Sequence, residues 1–379
     1  MAVKTHKPGS TLVQEDPRAV KYYSASQFQL MWWRFRKNRI AVVGTAVYFF
    51  FIFIAIFAEI VSPTTKQFRD TSYTYGPPQK VHFVDDQGNF HLRPFVYGTK
   101  SELNQESFEW EITEDTTERL PLRLFVEGEP YELWGLFKSD IHLFGISGGT
   151  LHLLGTDDLG RDILSRTIYA TRISLSIGIF GILTSFIIGL TIGGAAGYFG
   201  GKVDNILQRF IEFMVSLPQY PIWMSLAAAV PKEWPPMRIY ILITIMIGFF
   251  SWTGLARRLR GLVLSIRNED YAVSAKISGC SDQYIIWRHM LPTCLSYIIV
   301  DLTVSFPGMI LGETALSFLG LGLQAPVVSW GVLLNKVSQL ETIVMYPWFL
   351  YPAVPLVLAM LAVNLIGDGL RDAADPYSR

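Results

Sequence analysis

Glu212, Asp301 and Glu313 are carboxylates inside otherwise apolar stretches. A carboxylate facing hydrocarbon at mid-helix costs on the order of 2.5–3.5 kcal/mol, so each should face protein, water or a solute. Asp301 lies mid-way along its stretch and has two readings: it lines a path for polar solutes, or it hydrogen-bonds a neighbouring helix. Glu313, near the outer end of the same stretch, is the second candidate for such a path; Glu212 sits near the inner start of another. Catalytic chemistry has little to draw on. No G-x-x-x-x-G-K-[ST] string occurs, and the nearest, at 196–203, has Ala196 and Val203 where glycine and hydroxyl are required. Without the phosphate cradle and the Mg²⁺-holding hydroxyl, P-loop ATP hydrolysis is excluded, and the chain reads as a non-enzyme. The six histidines lack metal-ligand spacing, with His82 and His91 read as an exposed pair across a hairpin. Asp157, Asp158 and Asp162 lack EF-hand spacing and are expected to cap and to make interfacial hydrogen bonds. No metal or cofactor is expected in this chain.

The richest signal is a polar stretch between two apolar runs, N-E-D-Y-A-V-S-A-K-I-S-G-C-S-D-Q-Y-I-I-W-R-H-M-L-P at 268–292. It predicts two short helices around a glycine turn. Residues 270–277 form the first, and Gly279 supplies a permissive turn just past its end. Ser281 caps the second, with Asp282 in its positive first turn. Ile285, Ile286 and Met290 then make an apolar stripe at helical spacing, and Pro292 falls where the chain enters the next apolar run. Such a helix pair suits insertion into a groove on another protein. The competing reading is an interfacial helix resting on lipid.

The apolar runs must position these residues. Of 379 residues, 50% are hydrophobic and 17% charged, against roughly 25% charged in an ordinary soluble domain. The excess is concentrated: 40–61 holds one charged residue, Glu59, while 173–199 and 343–367 hold none. About 20 residues cross roughly 30 Å of hydrocarbon, so these runs are membrane spans. Six are expected, at about 40–62, 173–199, 210–230, 239–256, 293–311 and 347–367. Arg34, Arg36, Lys37 and Arg39 precede the first; Lys202 and Arg209 follow the second; Arg257, Arg258, Arg260 and Arg267 follow the fourth; Arg371 follows the sixth. All share one side if both termini are cytoplasmic. The polar lead of 39 residues and the length of the first span speak against a cleavable signal peptide. Gly189, Gly193 and Gly197 form a small-residue ridge suited to close helix packing.

Between the first two spans, 63–154 carries 14 acidic against 8 basic residues, a net charge of −6 that suits an outer face. Its pattern predicts three hairpins: 81–84 with 89–93, 122–126 with 131–136, and 141–146 with 150–154. The segment is either a lid on the membrane part or a docking surface for an extracytoplasmic partner. The chain therefore divides into a cytoplasmic segment 1–39, a first span 40–62, the insert 63–154, a core 155–370 containing the loop 268–292, and a tail 371–379. Equal numbers of basic and acidic residues, 32 each, argue against a nucleic-acid partner. Two cysteines, Cys280 and Cys294, imply no disulfide framework.

Four motifs stand in order: L-G-T-D-D-L-G-R-D-I-L-S-R at 154–166, the 268–292 loop, G-E-T-A-L-S-F-L-G-L-G-L at 312–323 followed by Pro326 and Ser329-Trp330-Gly331, and G-D-G-L-R-D-A-A-D-P at 367–376. Over about 155–376 the chain resembles the dipeptide and oligopeptide permeases of ABC importers. Ser274-Ala275 stands at the paired alanines of that family's coupling loop, although Val273, Ser274 and Met290 depart from the general pattern. Gly279, Ser281, Ile285, Ile286, Arg288, His289, Leu291 and Pro292 match the peptide-permease variant. Before residue 155 the likeness is confined to the basic flank and first span, and an insert of this size belongs to a longer-chain branch.

The resemblance implies an all-α polytopic protein of the bacterial cytoplasmic (inner) membrane, with the six transmembrane helices of a type I ABC importer permease and a small β-rich extracytoplasmic insert. It implies half of a pore, completed by a second homologous permease. Two cytoplasmic ATPase subunits would bind ATP and Mg²⁺, and an extracytoplasmic solute-binding protein would deliver the solute. Ala275, Gly279, Ser281, Asp282, Ile285, Ile286, Arg288, His289, Leu291 and Pro292 would couple the ATPases to the pore. Oligopeptides are the implied substrate, with oligosaccharides the alternative. A secondary transporter would need inverted repeats and mid-membrane ion ligands, and no repeat is evident. A structural anchor carrying a β domain would leave 268–292 and 312–323 unexplained.

Overall fold

A computed structural model describes residues 26–103, 110–231 and 233–374. Most of the expected cytoplasmic segment, 1–25, and the end of the tail, 375–379, lie outside the described residues. The helices that position the site are α1 (Gln27–Lys37), α2 (Arg39–Ile56), α3 (Ile163–Phe199), α4 (Gly201–Ser216), α5 (Gln219–Ala228), α6 (Pro236–Ile266), α7 (Asp270–Ile277), α8 (Leu295–Phe318), α9 (Trp330–Leu334) and α10 (Ala353–Ala374). Among the described residues, five helical stretches are long and apolar enough to cross a membrane: α2, α3, α6, α8 and Pro347–Ala374, which ends in α10.

The run expected as a third span, 210–230, is not one helix. It is divided between the end of α4 and α5, with Leu217 extended at φ −75°, ψ 129°. Pro218 dictates the break, because its ring disfavours helical geometry in the residue before it and it brings no N–H. α4 is amphipathic, burying Asp204, Ile211 and Met214, and Asp204 takes a bidentate bond from Arg260 of α6 at 2.5 and 2.6 Å.

The bundle closes around α3 and α6, which cross through the glycine ridge. A methyl group on Gly193 would stand 2.6 Å from the Ala256 carbonyl, and one on Gly197 2.6 Å from Val263 Cβ. Only hydrogen fits there, so the two backbones approach closely. One core gathers Phe51, Leu175, Phe306, Ile310, Trp330 and Phe349 from α2, α3, α8 and the C-terminal elements. A second joins α3, α4, α5, α6 and α8 around Ile211, Trp223, Ile247 and Trp252.

The insert is a four-stranded antiparallel meander, β1 (His82–Val84), β2 (Phe90–Leu103), β3 (Trp110–Leu133) and β4 (Phe137–Ile146), in sequential order. The first expected hairpin is present, with Val84 opposite Phe90. The other two are redrawn. Residues 122–126 and 131–136 do not pair with each other, because both belong largely to β3. Its first half pairs with β2 and its second half with β4. Glu127-Gly128-Glu129-Pro130 is not a turn but a bulge: Glu127 faces Ile141 and Tyr131 faces Ser139, leaving three residues against one. Pro130 cannot donate to a ladder and is tolerated there. Residues 150–154 form no strand, because their partners lie elsewhere. Gln79 donates its N–H to the His152 carbonyl at 3.0 Å, and its side chain accepts the His152 N–H at 2.8 Å. His82 and His91 do not face each other either; His82 lies opposite Phe95, and His91 bonds Asp85 at 3.0 Å.

Candidate functional site

The 268–292 loop folds by local rules. α7 spans Asp270–Ile277 and closes with the Cys280 N–H on the Ala275 carbonyl and the Gly279 N–H on the Lys276 carbonyl, both at 3.1 Å. This double bond pattern needs a left-handed residue just past the helix end, and Gly279 supplies it at φ +80°. Ser281 then accepts the Tyr284 N–H at 3.4 Å and starts the second helix at Asp282. That helix widens into a π turn over Ile285–Met290 and leads through Leu291–Thr293 toward α8. A π turn accommodates Pro292, which cannot close an ordinary helical bond to residue 288.

One face of this helix pair is apolar and enclosed. Ile285, Ile286, Met290 and Leu291 are buried with Ala272 and Ala275 against Leu190 of α3 and Leu259 and Val263 of α6. Burying four such side chains stabilises the seat by about 1.5–3 kcal/mol each as an upper bound. A strong polar tie crosses it, from the Tyr198 hydroxyl of α3 to Asp282 at 2.6 Å. Lys276 lies over the Tyr198 ring at 5.9 Å. The opposite face stays open: Ile277 is 82% exposed, and Tyr284, Trp287 and Arg288 are exposed as well. His289 is half-buried with its ring edge-on to Tyr284 at 5.6 Å, and Pro292 is exposed. The sequence located the apolar stripe, which is seated on α3 and α6 of the same chain rather than on a partner or on lipid. It missed the exposed face and Tyr198, which lies 84 residues before Asp282 and has no local signal.

Asp301 and Glu313 share α8 but not an environment. Asp301 pairs with Arg258 of α6 at 2.5 Å. The pair borders a cavity of about 850 Å³ that is also lined by Arg34, Tyr297, Ser305 and Asp372. The bond to a neighbouring helix is thus present, and Asp301 also borders open space. Glu313 departs from the expectation of a path-lining group. It is fully buried, and its Oε1 accepts hydroxyl bonds from Ser317 at 2.8 Å and Ser329 at 2.6 Å. Ser317 in turn accepts the Leu323 N–H at 3.0 Å, so Glu313 fastens the loop that follows α8. Glu212 is an exposed partner of Arg209 at 3.1 Å.

The opposite end of the bundle is fastened by charge. Asp157 accepts the backbone N–H groups of Leu159 and Arg161 at 2.9 and 3.0 Å, the Arg161 guanidinium, and the buried Arg166 guanidinium. Asp162 caps α3 by accepting the Ser165 N–H at 2.6 Å. Capping and interfacial bonding, as expected for this motif, describe both aspartates. His152 sits between Asp162 at 3.3 Å and Asp70 at 3.5 Å, stacked on Tyr73. Burial alone would lower its pKa, but the bonds to Asp162 and then Asp70 outweigh it and push the imidazole up to about 9. The His152 bond holds the Asp70 carboxyl well below the usual range, with Ser72 and Thr150 assisting.

Residues 189–379 match the family of binding-protein-dependent transport system inner membrane components. The chain belongs to that family. Residues 26–78 match the N-terminal transmembrane domain of oligopeptide transport permease C. The dipeptide transport system permease protein DppC of Bacillus subtilis (strain 168) is 42% identical over 230 residues, covering 60% of this chain and 69% of the relative. The oligopeptide transport system permease protein OppC of Haemophilus influenzae is likewise 42% identical over 230 residues, 60% of this chain and 71% of its own. The DppC of Lactococcus lactis subsp. cremoris is 32% identical over 352 residues, 93% of this chain and 91% of its own. That last match is longer than the stretches outside 63–154, so it takes in part of the insert. The chain is a helical, polytopic membrane transport component, with a small sheet inserted after its first span.

Proposed function

We propose that this chain is one of two homologous permease subunits of an ATP-driven importer of oligopeptides in the bacterial cytoplasmic membrane. In this reading α4 and α5 together provide the third of six crossings, both termini are cytoplasmic, and the insert faces outward. Two ATPase subunits dock on 268–292, and a solute-binding protein delivers peptide to the outer mouth. The observation that carries the reading is the loop's division into two faces. Ile285, Ile286, Met290 and Leu291 are seated on α3 and α6, while Ile277, Tyr284 and Trp287 turn away from the bundle. A partner gripping the outer face would move α3 and α6 through the inner one. Asp301, beside its cavity, is the candidate for contact with polar solute; Glu313 acts as a fastening of the following loop.

Reconstituted vesicles test this directly. Peptide uptake should require ATP, the partner permease, the binding protein and separate ATPase chains. Uptake driven by an ion gradient without the ATPase chains would overturn the reading, and uptake of oligosaccharide in place of peptide would reassign the substrate.

A further inference from the structure

The tip of the β3–β4 hairpin carries a cluster of large apolar side chains that no part of the transport reading uses. Its three-residue loop, 134–136, brings Trp134, Leu136 and the neighbouring Phe137 together, at 55%, 77% and 68% exposure. Trp134 has φ +55° and Gly135 φ +71°. The left-handed region costs an L-residue about 1–2 kcal/mol, and such loop positions favour Gly or Asn. An aromatic residue there is held by its surroundings. The Trp134 indole N–H donates to the Ile56 carbonyl at 3.0 Å, and the Arg172 guanidinium lies 4.1 Å over its ring. Arg172 is fixed in turn by Glu59 at 2.6 and 2.7 Å and by the Ala55 carbonyl at 2.7 Å.

These contacts set the depth of the tip. α2 runs from Arg39 to Ile56, a length of 18 residues, which is about 27 Å at roughly 1.5 Å per residue. Hydrocarbon is about 30 Å thick, so the Ile56 carbonyl, followed by the short helix Ala58–Val61 with the charged Glu59, stands close to its far edge. Trp134 bonds that carbonyl, at the boundary where tryptophan is favoured in membrane proteins. The outward side chains of α2, among them Phe49, Phe50, Phe53 and Ile56, are exposed along the same helix, and the tip continues this apolar surface. Lys138 follows at once, its side chain exposed and paired with Glu132 at 3.5 Å, at the level expected of a polar rim.

We infer that the tip formed by Trp134, Leu136 and Phe137 inserts into the lipid interface and anchors the free end of the sheet to the membrane surface. The inference needs only the depth of Ile56 and holds whichever side the insert occupies. Lipid, rather than a protein, is the occupant we assign because the tip is bonded to the end of a helix long and apolar enough to cross a membrane, whose outward side chains are apolar and exposed.

The test uses the full chain in vesicles, alone and in the assembled transporter, with Cys280 and Cys294 replaced by alanine. Single cysteines at Leu136→Cys, Phe137→Cys and the control Thr116→Cys, eighteen residues before Trp134 along the chain, carry an environment-sensitive fluorophore. Lipids bearing a nitroxide high on the acyl chain should quench the two tip labels several-fold more than the control. A nitroxide near the chain end should quench them less. Equal quenching at tip and control would overturn the inference. So would tip quenching in the isolated chain that disappears in the assembled transporter, which would make the tip a protein contact.

Discussion

The two ends of α3 are held in opposite ways. At its start the chain is fastened by charge: Asp157 with Arg161 and Arg166, Asp162 with His152 and Asp70, and Arg172 with Glu59. At its end, the 282–293 helix rests on α3 and α6 through Ile285, Ile286, Met290 and Leu291, with one hydroxyl–carboxylate bond beside them. Hydrogen bonds and ion pairs fix distance and angle together, and a buried network loses much of its value when one member shifts. Apolar burial is non-directional and tolerates a slide that conserves contact area. The end joined to the insert is held by directional bonds, and the end carrying the loop by apolar packing; under the proposed coupling role, the second is the end that would shift.

This contrast is broken most severely by substitutions that keep volume. Asp157→Asn is nearly isosteric, yet it leaves the buried Arg166 without its carboxylate partner. Removing one member of a buried pair costs about 3–5 kcal/mol. Met290→Leu keeps both volume and apolarity and should cost less than about 1.5 kcal/mol. Melting of the purified transporter should therefore drop sharply for the first and barely for the second. Similar losses would erase the distinction between the two ends.

A pH titration sharpens the same contrast. The folded pKa of His152, about 9, is raised above an unfolded value near 6.5. Its contribution is therefore fully present below about pH 6.5 and is lost as pH climbs through about 9. At about 1.36 kcal/mol per pKa unit this amounts to at most about 3 kcal/mol. Melting temperature should fall between pH 7 and 10 in the parent and fall less in His152→Gln, whose side chain stays neutral. An identical pH profile in the two proteins would exclude His152 as the cause.

Where the sequence could be read, the rules were local. Gly279 and Ser281 were legible because a helix stop and a cap are decided by residues within one turn of each other. Ile285, Ile286 and Met290 were legible because burial follows helical period. Glu127-Gly128-Glu129-Pro130 misled because turn-forming residues also make bulges, and only the β4 partner decides between them. Pro218 broke an apolar run whose composition alone suggested one crossing. Arg258 and Asp301 meet across 43 residues of chain, Tyr198 and Asp282 across 84, and no local pattern announces either pair. Glu313 looked like a solute ligand for the same reason: its hydroxyl partners include Ser329, 16 residues on.

A smaller thermodynamic effect with a larger functional one is expected at Gly279. Space around it is open, so a side chain meets nothing, and only the backbone at φ +80° objects. Gly279→Val should therefore cost about 1–2 kcal/mol locally while misaiming the helix that follows Ser281. Assembly should survive, ATP hydrolysis should continue and uptake should fall. Gly279→Asn, more tolerant of this region, should retain more uptake. Full uptake in Gly279→Val would remove the coupling role from the loop.

The smallest stability effect belongs to Asp301. Its partner Arg258 keeps 45% of its side chain exposed, and ion pairs with that much solvent contribute about 0–1 kcal/mol. Arg258 can rehydrate from the adjoining cavity once the carboxylate is gone, so Asp301→Leu should assemble nearly as well as the parent. If the carboxylate replaces solute hydration along the path, uptake should fall strongly in Asp301→Leu and less in Asp301→Asn, which keeps a polar group. If Asp301 serves only to hold α8 against α6, the order reverses: complex yield falls first, and Asp301→Leu combined with Arg258→Leu recovers it by replacing the pair with apolar contact. Measuring assembled complex and uptake rate on the same preparations separates the two. Normal values of both in Asp301→Leu would leave the ion pair with neither role.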